Sequence, residues 1–144
     1  MSQDFMIGEL AARTGCKVQT IRYYEEIGVM PPAVRAANNR RMYDDSHLMR
    51  LSFIRHSREL GFSLDDIRSL LALADQPDRP CGEVDEIACN HLSEVERKIS
   101  SLKVLEGELR RMISHCAGGT VSDCRIIKVL ADHDLCEEHN KLIA

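Results

Sequence analysis

The sequence predicts a mainly α-helical protein: a winged helix-turn-helix head, a long antiparallel coiled-coil helix and a short C-terminal loop. Three observations carry that expectation. Aromatic residues make up only 4% of the 144-residue chain and tryptophan is absent, which argues for helices around a modest core. Two short amphipathic segments near the N-terminus are split by Gly15-Cys16-Lys17. Farther along, Ala88, Val95, Leu102 and Leu109 place one apolar residue at every seventh position.

Phe5 to Thr14, FMIGELAART, sets Ile7, Leu10 and Ala11 at helical spacing and reads as the first helix. Val18 to Ile27, VQTIRYYEEI, reads as the second, with Val18 and Ile21 inward and Gly28 as its stop. Two short helices joined by a glycine-containing turn form a helix-turn-helix, whose second helix fits the DNA major groove. Its outward face is read as Lys17, Thr20, Arg22, Tyr23 and Tyr24. Arginine suits a phosphate or a guanine edge, and a tyrosine hydroxyl suits a phosphate.

Met30-Pro31-Pro32 ends the second helix. Ala33-Val34-Arg35 and Arg41-Met42-Tyr43 then flank Asn38-Asn39, a pair that tolerates positive φ and suits a hairpin turn. The resulting wing carries Arg35, Arg40, Arg41 and Tyr43 as further DNA-binding candidates. Asp45 to Leu60 is a third helix ending at Gly61, with Leu48, Leu51 and Ile54 inward and Arg55 and Arg58 outward toward DNA. Ser63-Leu64-Asp65-Asp66 reads as a capping box with Asp in place of Glu, opening a fourth helix through Ala74. The domains are therefore 1–74 for the DNA-binding head, 75–80 for a proline-containing linker, 81–115 for a dimerisation helix, and 116–144 for a metal-binding loop with a short C-terminal helix or tail.

Cysteine placement supplies the chemistry. Cys81 stands seven residues before Ala88, and Cys116 stands seven after Leu109, so both extend the first seam. A second seam runs through Leu92, Ile99 and Ile113 and is broken by Glu106. Such a helix is about 45–50 Å long at roughly 1.5 Å per residue, so its two end cysteines cannot meet within one chain. In an antiparallel homodimer, Cys81 of one subunit lies beside Cys116 and Cys124 of the other, giving two three-thiolate sites. Soft thiolates select zinc, cadmium, lead, mercury or cuprous copper. His115 is the nearest candidate for a fourth ligand, and Cys136 with His139 forms a candidate accessory pair. Asp123 reads as a solvated carboxylate, Cys16 as a packing residue, and Cys89 with His91 as structural.

Charge divides along the same line. From Arg13 to Arg58 there are nine basic and four acidic residues, whereas from Asp75 onward there are nine basic and fourteen acidic. A head of net +5 and a tail of net −5 suit a chain whose head alone meets a polyanion. No apolar run approaches the roughly 18 residues of a membrane span, and the reading is a cytoplasmic protein with reduced thiols and no membrane partner. An iron–sulfur cluster wants four clustered thiolates, and a thiol enzyme wants a cleft with a neighbouring histidine and acid. Neither pattern is present, so the chain reads as no enzyme.

IGELAARTG, TIRYYEEIG, the RRMY wing end and LSFIRHSRELGFSLDDIRSLL, followed by the cysteine-bearing tail, resemble the MerR family of transcriptional regulators. The resemblance runs from Met6 to about Leu130 and is strongest to the branch that senses soft divalent metals: cadmium, lead, zinc or mercury. It implies a homodimer on a palindromic promoter, which on metal binding distorts the DNA so that RNA polymerase can engage it, in control of metal resistance or efflux genes. Family members that read monovalent copper or silver have serine where this chain has Cys81, so the third thiolate implies a divalent ion. Zinc-reading relatives carry a histidine in the loop, and AGGTVSD carries none. The alternative within the same fold is a redox- or monovalent-metal-sensing regulator.

Overall fold

The structure, a computed structural model, describes residues 3–115 and 118–132. The chain divides into two compact units, one ending at Asp85 and the other beginning at Glu86.

The first unit begins with α1, Ile7–Thr14, and α2, Val18–Glu26. Ile7, Leu10, Ala11 and Thr14 share one face of α1, and the buried Thr14 hydroxyl donates back to the Leu10 carbonyl at 2.8 Å. Gly15 closes α1 in the left-handed region at φ 71°, where a β-carbon is disfavoured. Phe5 was expected inside the first helix. It forms an antiparallel bridge to Tyr43 instead, with reciprocal amide–carbonyl bonds of 2.7 and 2.8 Å, and its ring is buried. That pairing joins the start of the chain to the base of the wing, which local periodicity cannot reveal.

The wing is a two-stranded antiparallel hairpin, β1 (Val34–Arg35) against β2 (Arg41–Met42), with Val34 opposite Met42 and Arg35 opposite Arg41. Of the two turn asparagines only Asn39 takes positive φ, at 65°. Asn38 serves differently: its side-chain oxygen accepts from the Arg40 amide at 3.1 Å. Helix α3 runs from Asp45 to Glu59 and α4 from Leu64 to Ala74. Asp44 caps α3 in a capping box whose second member is His47, and Ser63 caps α4 by accepting from the Asp66 amide at 3.1 Å. The core gathers Phe5, Leu10, Ile21, Tyr24, Val29 and Met30 against Tyr43, Leu51, Ile54, Ile67 and Leu71.

Helix α5 is unbroken from Gly82 to Ser114, 33 residues and so about 50 Å long by its rise. Among the predicted seam residues, Val95 is half-buried, whereas Leu92, Ile99, Leu102, Leu109 and Ile113 stand exposed on the single chain. His91, Glu108 and Met112 are buried, and Glu108 holds Arg111 in a two-pronged ion pair of 2.6 and 3.1 Å. Cys89, expected to be structural, is exposed, because it falls outside the buried side of the helix. Beyond α5, Gly118 and Gly119 both take positive φ, a single 3-10 turn covers Val121–Asp123, and α6 spans Arg125–Ala131 with Val129 buried. No helix among the described residues is long and apolar enough to cross a membrane.

Candidate nucleic-acid interface and metal-ligand residues

An open hollow of about 780 Å³ on the first unit is lined by Met6, Ile7, Arg22, Arg35, Asn39, Arg40 and Arg41. Three elements build it. Helix α2 contributes Arg22 from its exposed side, the wing contributes its three arginines, and the entry to α1 forms the apolar floor. The antiparallel register sets Arg35 directly opposite Arg41, while Arg35 donates to the Asn39 carbonyl at 2.9 Å and so fixes the turn. None of the four arginines is ion-paired among the described residues. Four unneutralised guanidinium groups around one open hollow suit the phosphates of a nucleic-acid backbone.

Lys17 and Tyr23 are exposed beside this surface and Thr20 is half-buried on the same helix. Tyr24 is not outward as expected. It is a core residue, since helical geometry carries it onto the side of Ile21, with its ring centroid 6.1 Å from that of the exposed Tyr23. Burial pushes its hydroxyl pKa up, an effect that nearby Arg58 opposes. Tyr43 is likewise removed from the contact set, because its ring is wholly buried. Burial first, and then the Glu25 carboxylate beside it, hold its hydroxyl well above the ordinary tyrosine value.

Arg55 is exposed, as its outward reading expects, and its guanidinium is also engaged within the fold. Its Nη1 donates to the carbonyl of Thr14 and its Nε to Glu59 at 3.1 Å, so the guanidinium faces the helix-turn-helix turn. Arg58 remains exposed and donates to the Phe62 carbonyl at 3.0 Å. Sequence reasoning missed Met6, Ile7 and Asn39 as lining residues and missed Arg68, whose Nη2 donates to the Ile27 carbonyl at 2.7 Å. That last bond spans 41 residues, a separation at which no sequence periodicity acts.

Of the thiol candidates, Cys81 is exposed directly before α5, its carbonyl accepting from the Asp85 amide at 3.0 Å. Cys124 is half-buried between the 3-10 turn and α6. His115 is exposed just beyond α5, with Nδ1 held 2.7 Å from the Arg111 carbonyl, which leaves Nε2 for any ligand. Asp123 accepts from the Thr120 hydroxyl at 3.2 Å. Cys16 packs against the core, as read from the sequence. Cys116, Cys136 and His139 lie outside the described residues. Among the described residues, no three His, Cys, Asp or Glu side chains gather as a metal site.

The chain matches two family models, "MerR HTH family regulatory protein" over residues 5–74 and "MerR, DNA binding" over residues 48–112. It is 42% identical over 125 residues to the HTH-type transcriptional regulator HmrR of Sinorhizobium medicae (strain WSM419), covering 87% of this chain and 85% of that protein. The HTH-type transcriptional regulator ZntR of Escherichia coli (strain K12) is 40% identical over 129 residues, covering 88% and 92% respectively. Among solved structures, the transcription regulator PbrR691 from Ralstonia metallidurans CH34 in complex with lead(II) superposes with a TM-score of 0.77 at 41% identity, covering 88% of this chain and 98% of that one. These relatives are regulators and not enzymes, and likeness of this extent in sequence and fold together means that the chain belongs to the MerR family of helix-turn-helix transcriptional regulators.

Proposed function

We propose that this chain is a promoter-binding regulator that activates transcription when a soft divalent ion (cadmium, lead, zinc or mercury) binds thiolates shared between two subunits. The observation that carries the reading is Cys81, exposed at the head of a continuous 33-residue helix whose other end leads to Cys116 and Cys124. A single chain cannot fold that helix back on itself. An antiparallel partner helix supplies the remedy, setting Cys81 of one subunit beside Cys116 and Cys124 of the other. The exposed Leu92, Ile99, Leu102, Leu109 and Ile113 support such a partner. Each fully covered side chain of this size stabilises the pairing by about 1.5–3 kcal/mol. Lead(II) in the PbrR691 structure suits the same donor chemistry.

The residues fit a soft metal. Cys81 is an exposed thiol and Cys124 a half-buried cysteine, and thiolate is the donor that soft ions prefer. His115, with only Nε2 free, is suited to complete a tetrahedron for cadmium or zinc, while three thiolates alone suit lead or mercury. In the DNA-bound dimer, each α2 enters a major groove, and Arg22, Arg35, Arg40 and Arg41 grip phosphates. At each end of the coil Cys81 of one subunit, with Cys116 and Cys124 of the other, would hold the ion and join the two chains there, and the dimer would then bend and untwist a promoter whose elements RNA polymerase cannot otherwise engage. Elastic estimates put such distortion at several kcal/mol, which the phosphate contacts must offset.

Subunit mixing tests this. Cys81→Ser subunits mixed with Cys116→Ser, Cys124→Ser subunits form heterodimers with one intact site and one site lacking all three thiolates. Cadmium binding should reappear at one ion per heterodimer, with promoter activation in transcription assays. Heterodimers that bind no more metal than either parent variant would sink the shared site.

A further inference from the structure

We propose that Arg55 and Arg68 are positioning residues that hold the two helices of the helix-turn-helix from behind and thereby set how α2 enters the groove. The proposal rests on the reading of α2 as the groove helix, and it moves Arg55 from the DNA-contact candidates to a supporting role that Arg68 shares.

The two contacts form a matched pair. Arg55 on α3 donates to the carbonyl of Thr14, the last residue of α1. Arg68 on α4 donates at 2.7 Å to the carbonyl of Ile27, the residue that caps α2. Each contact spans 41 residues. The carbonyls at a helix C-terminus lack intrahelical partners and carry partial negative charge, so a guanidinium is well matched to both features. Helix α2 has no basic residue in its own last turn, so Arg68 brings from α4 a charge that the helix does not carry itself.

The turn is shaped for the arm. Gly15 lies at φ 71°, and a β-carbon built there would run into the Arg55 guanidinium. Glycine therefore serves both the backbone and the approach of the arginine. Arg55 also donates from Nε to Glu59 at 3.1 Å, so its fork is fixed at two points. Lysine, with a single ammonium, reproduces the charge but not the fork. Helix α1 packs against both α2 and α3, and α3 against α4. The two arginines tie the ends of the reading helices to that α3–α4 support.

A phosphate contact and a positioning contact predict different binding curves. The probes are a duplex selected from a random pool by the wild-type chain, and poly(dI-dC) as non-specific DNA. Affinity for each is measured across salt concentrations, with Arg35→Ala as the reference for a lost phosphate contact. Arg55→Ala and Arg68→Ala should each weaken binding to the selected duplex about tenfold, the size of a lost hydrogen bond to a charged group. Their poly(dI-dC) affinity and their salt slope should stay at wild-type values, whereas Arg35→Ala should reduce the slope by about one unit. Gly15→Ala, which evicts the arm while keeping its charge and also strains the left-handed turn, should lose at least as much as Arg55→Ala. Should an alanine variant fail to fold by circular dichroism, Arg55→Lys and Arg68→Lys decide the matter: they also should lose about tenfold on the selected duplex. A slope lowered by about one unit in Arg55→Ala would make it a phosphate contact, and lysine variants within twofold of wild type would remove the positioning role. A wild-type chain that selects no duplex would instead overturn the promoter-binding reading itself.

Discussion

The amide of Asp44 donates to Nδ1 of His47 at 3.1 Å while the Asp44 carboxylate accepts from the His47 amide at 3.2 Å. Each residue thus satisfies a backbone donor of the other at the head of α3. With Nδ1 accepting, the ring is the Nε2–H tautomer, and Nε2 donates to the Pro32 carbonyl at 3.0 Å. The same ring meets Tyr43 edge-on at 5.2 Å. One buried histidine therefore connects the first turn of α3, the proline segment before the wing and the tyrosine at the wing's base.

This cap predicts an acid limb in stability. The Ser46 hydroxyl, and then the His47 amide, hold the Asp44 carboxyl at about 2, below its ordinary 3.8. A carboxyl lowered in the folded state favours the ionised form there. Its contribution is present above the unfolded value and is lost as pH falls through the folded one. Asp44→Asn keeps an acceptor but does not titrate. Melting temperatures by circular dichroism should therefore show the wild type ahead of Asp44→Asn at neutral pH, with the gap closing between about pH 4 and pH 2. A gap that stays constant over that range would assign the cap's effect to geometry alone.

DNA binding should separate the reading helix from the wing. Arg22→Ala and Tyr23→Ala are expected to weaken operator affinity strongly, since a helix in the proposed groove position would meet base edges as well as phosphates. Arg35→Ala should weaken it modestly and almost equally for all sequences, lowering the salt slope by about one unit. Fluorescence anisotropy at several salt concentrations reads both effects. Unchanged affinity of Arg22→Ala at moderate salt would remove α2 from the groove.

Asn39 offers a test of the wing's geometry. It is the only non-glycine residue with positive φ among the described residues, at 65°, and its carbonyl accepts from Arg35. Asn39→Gly should preserve the turn and operator affinity. Asn39→Val forces a β-branched side chain into the left-handed region, a cost of at least roughly 1–2 kcal/mol. That strain should appear as weaker operator binding with little change in melting temperature, because the hairpin is exposed and only two residues deep on each strand. Equal affinities for the glycine and valine variants would mean that the turn does not shape the arginine hollow.

The boundaries of α2, α3 and α4 were legible because glycine stops and polar caps act within a few residues. Gly28, Gly61 and Ser63 fall where the sequence places them. Contacts between distant segments were not legible. Phe5 follows Tyr43 into a bridge instead of joining α1, and Tyr24 turns inward although its neighbour Tyr23 does not. Aromatic residues with a hydroxyl are ambiguous in sequence, since the same group serves a core edge or a phosphate. Arg55 shows the same limit for charge: an outward position in the helical pattern does not say whether the guanidinium meets solvent or a carbonyl 41 residues away. The thiol set is visible in the sequence only as spacing along a heptad, and the proposed site needs a second chain to assemble.

Valence is where that thiol set is most exposed to experiment. Cys81→Ser should lower the response to cadmium and also bias residual binding toward cuprous ion. Loss of Cys81 leaves Cys116 and Cys124, eight residues apart across a turn with two glycines at positive φ. Two thiolates grip a monovalent soft ion in a linear arrangement, and their excess negative charge is tolerable where protons or helix ends compensate. A divalent ion loses one of three strong donors and the negative charge that balanced it. Structural thiolate sites bind with about 10–16 kcal/mol in total, so removal of one donor of three should cost several kcal/mol. Competition titrations with cadmium and cuprous ions, under thiol-reducing conditions and with the promoter-binding activity of the variant checked in parallel, measure the ratio directly. The wild-type chain should prefer cadmium, and in Cys81→Ser the preference should shrink by orders of magnitude or reverse. If cadmium outcompetes copper by the same margin in both proteins, Cys81 does not set valence, and the third donor must come from another residue such as His115.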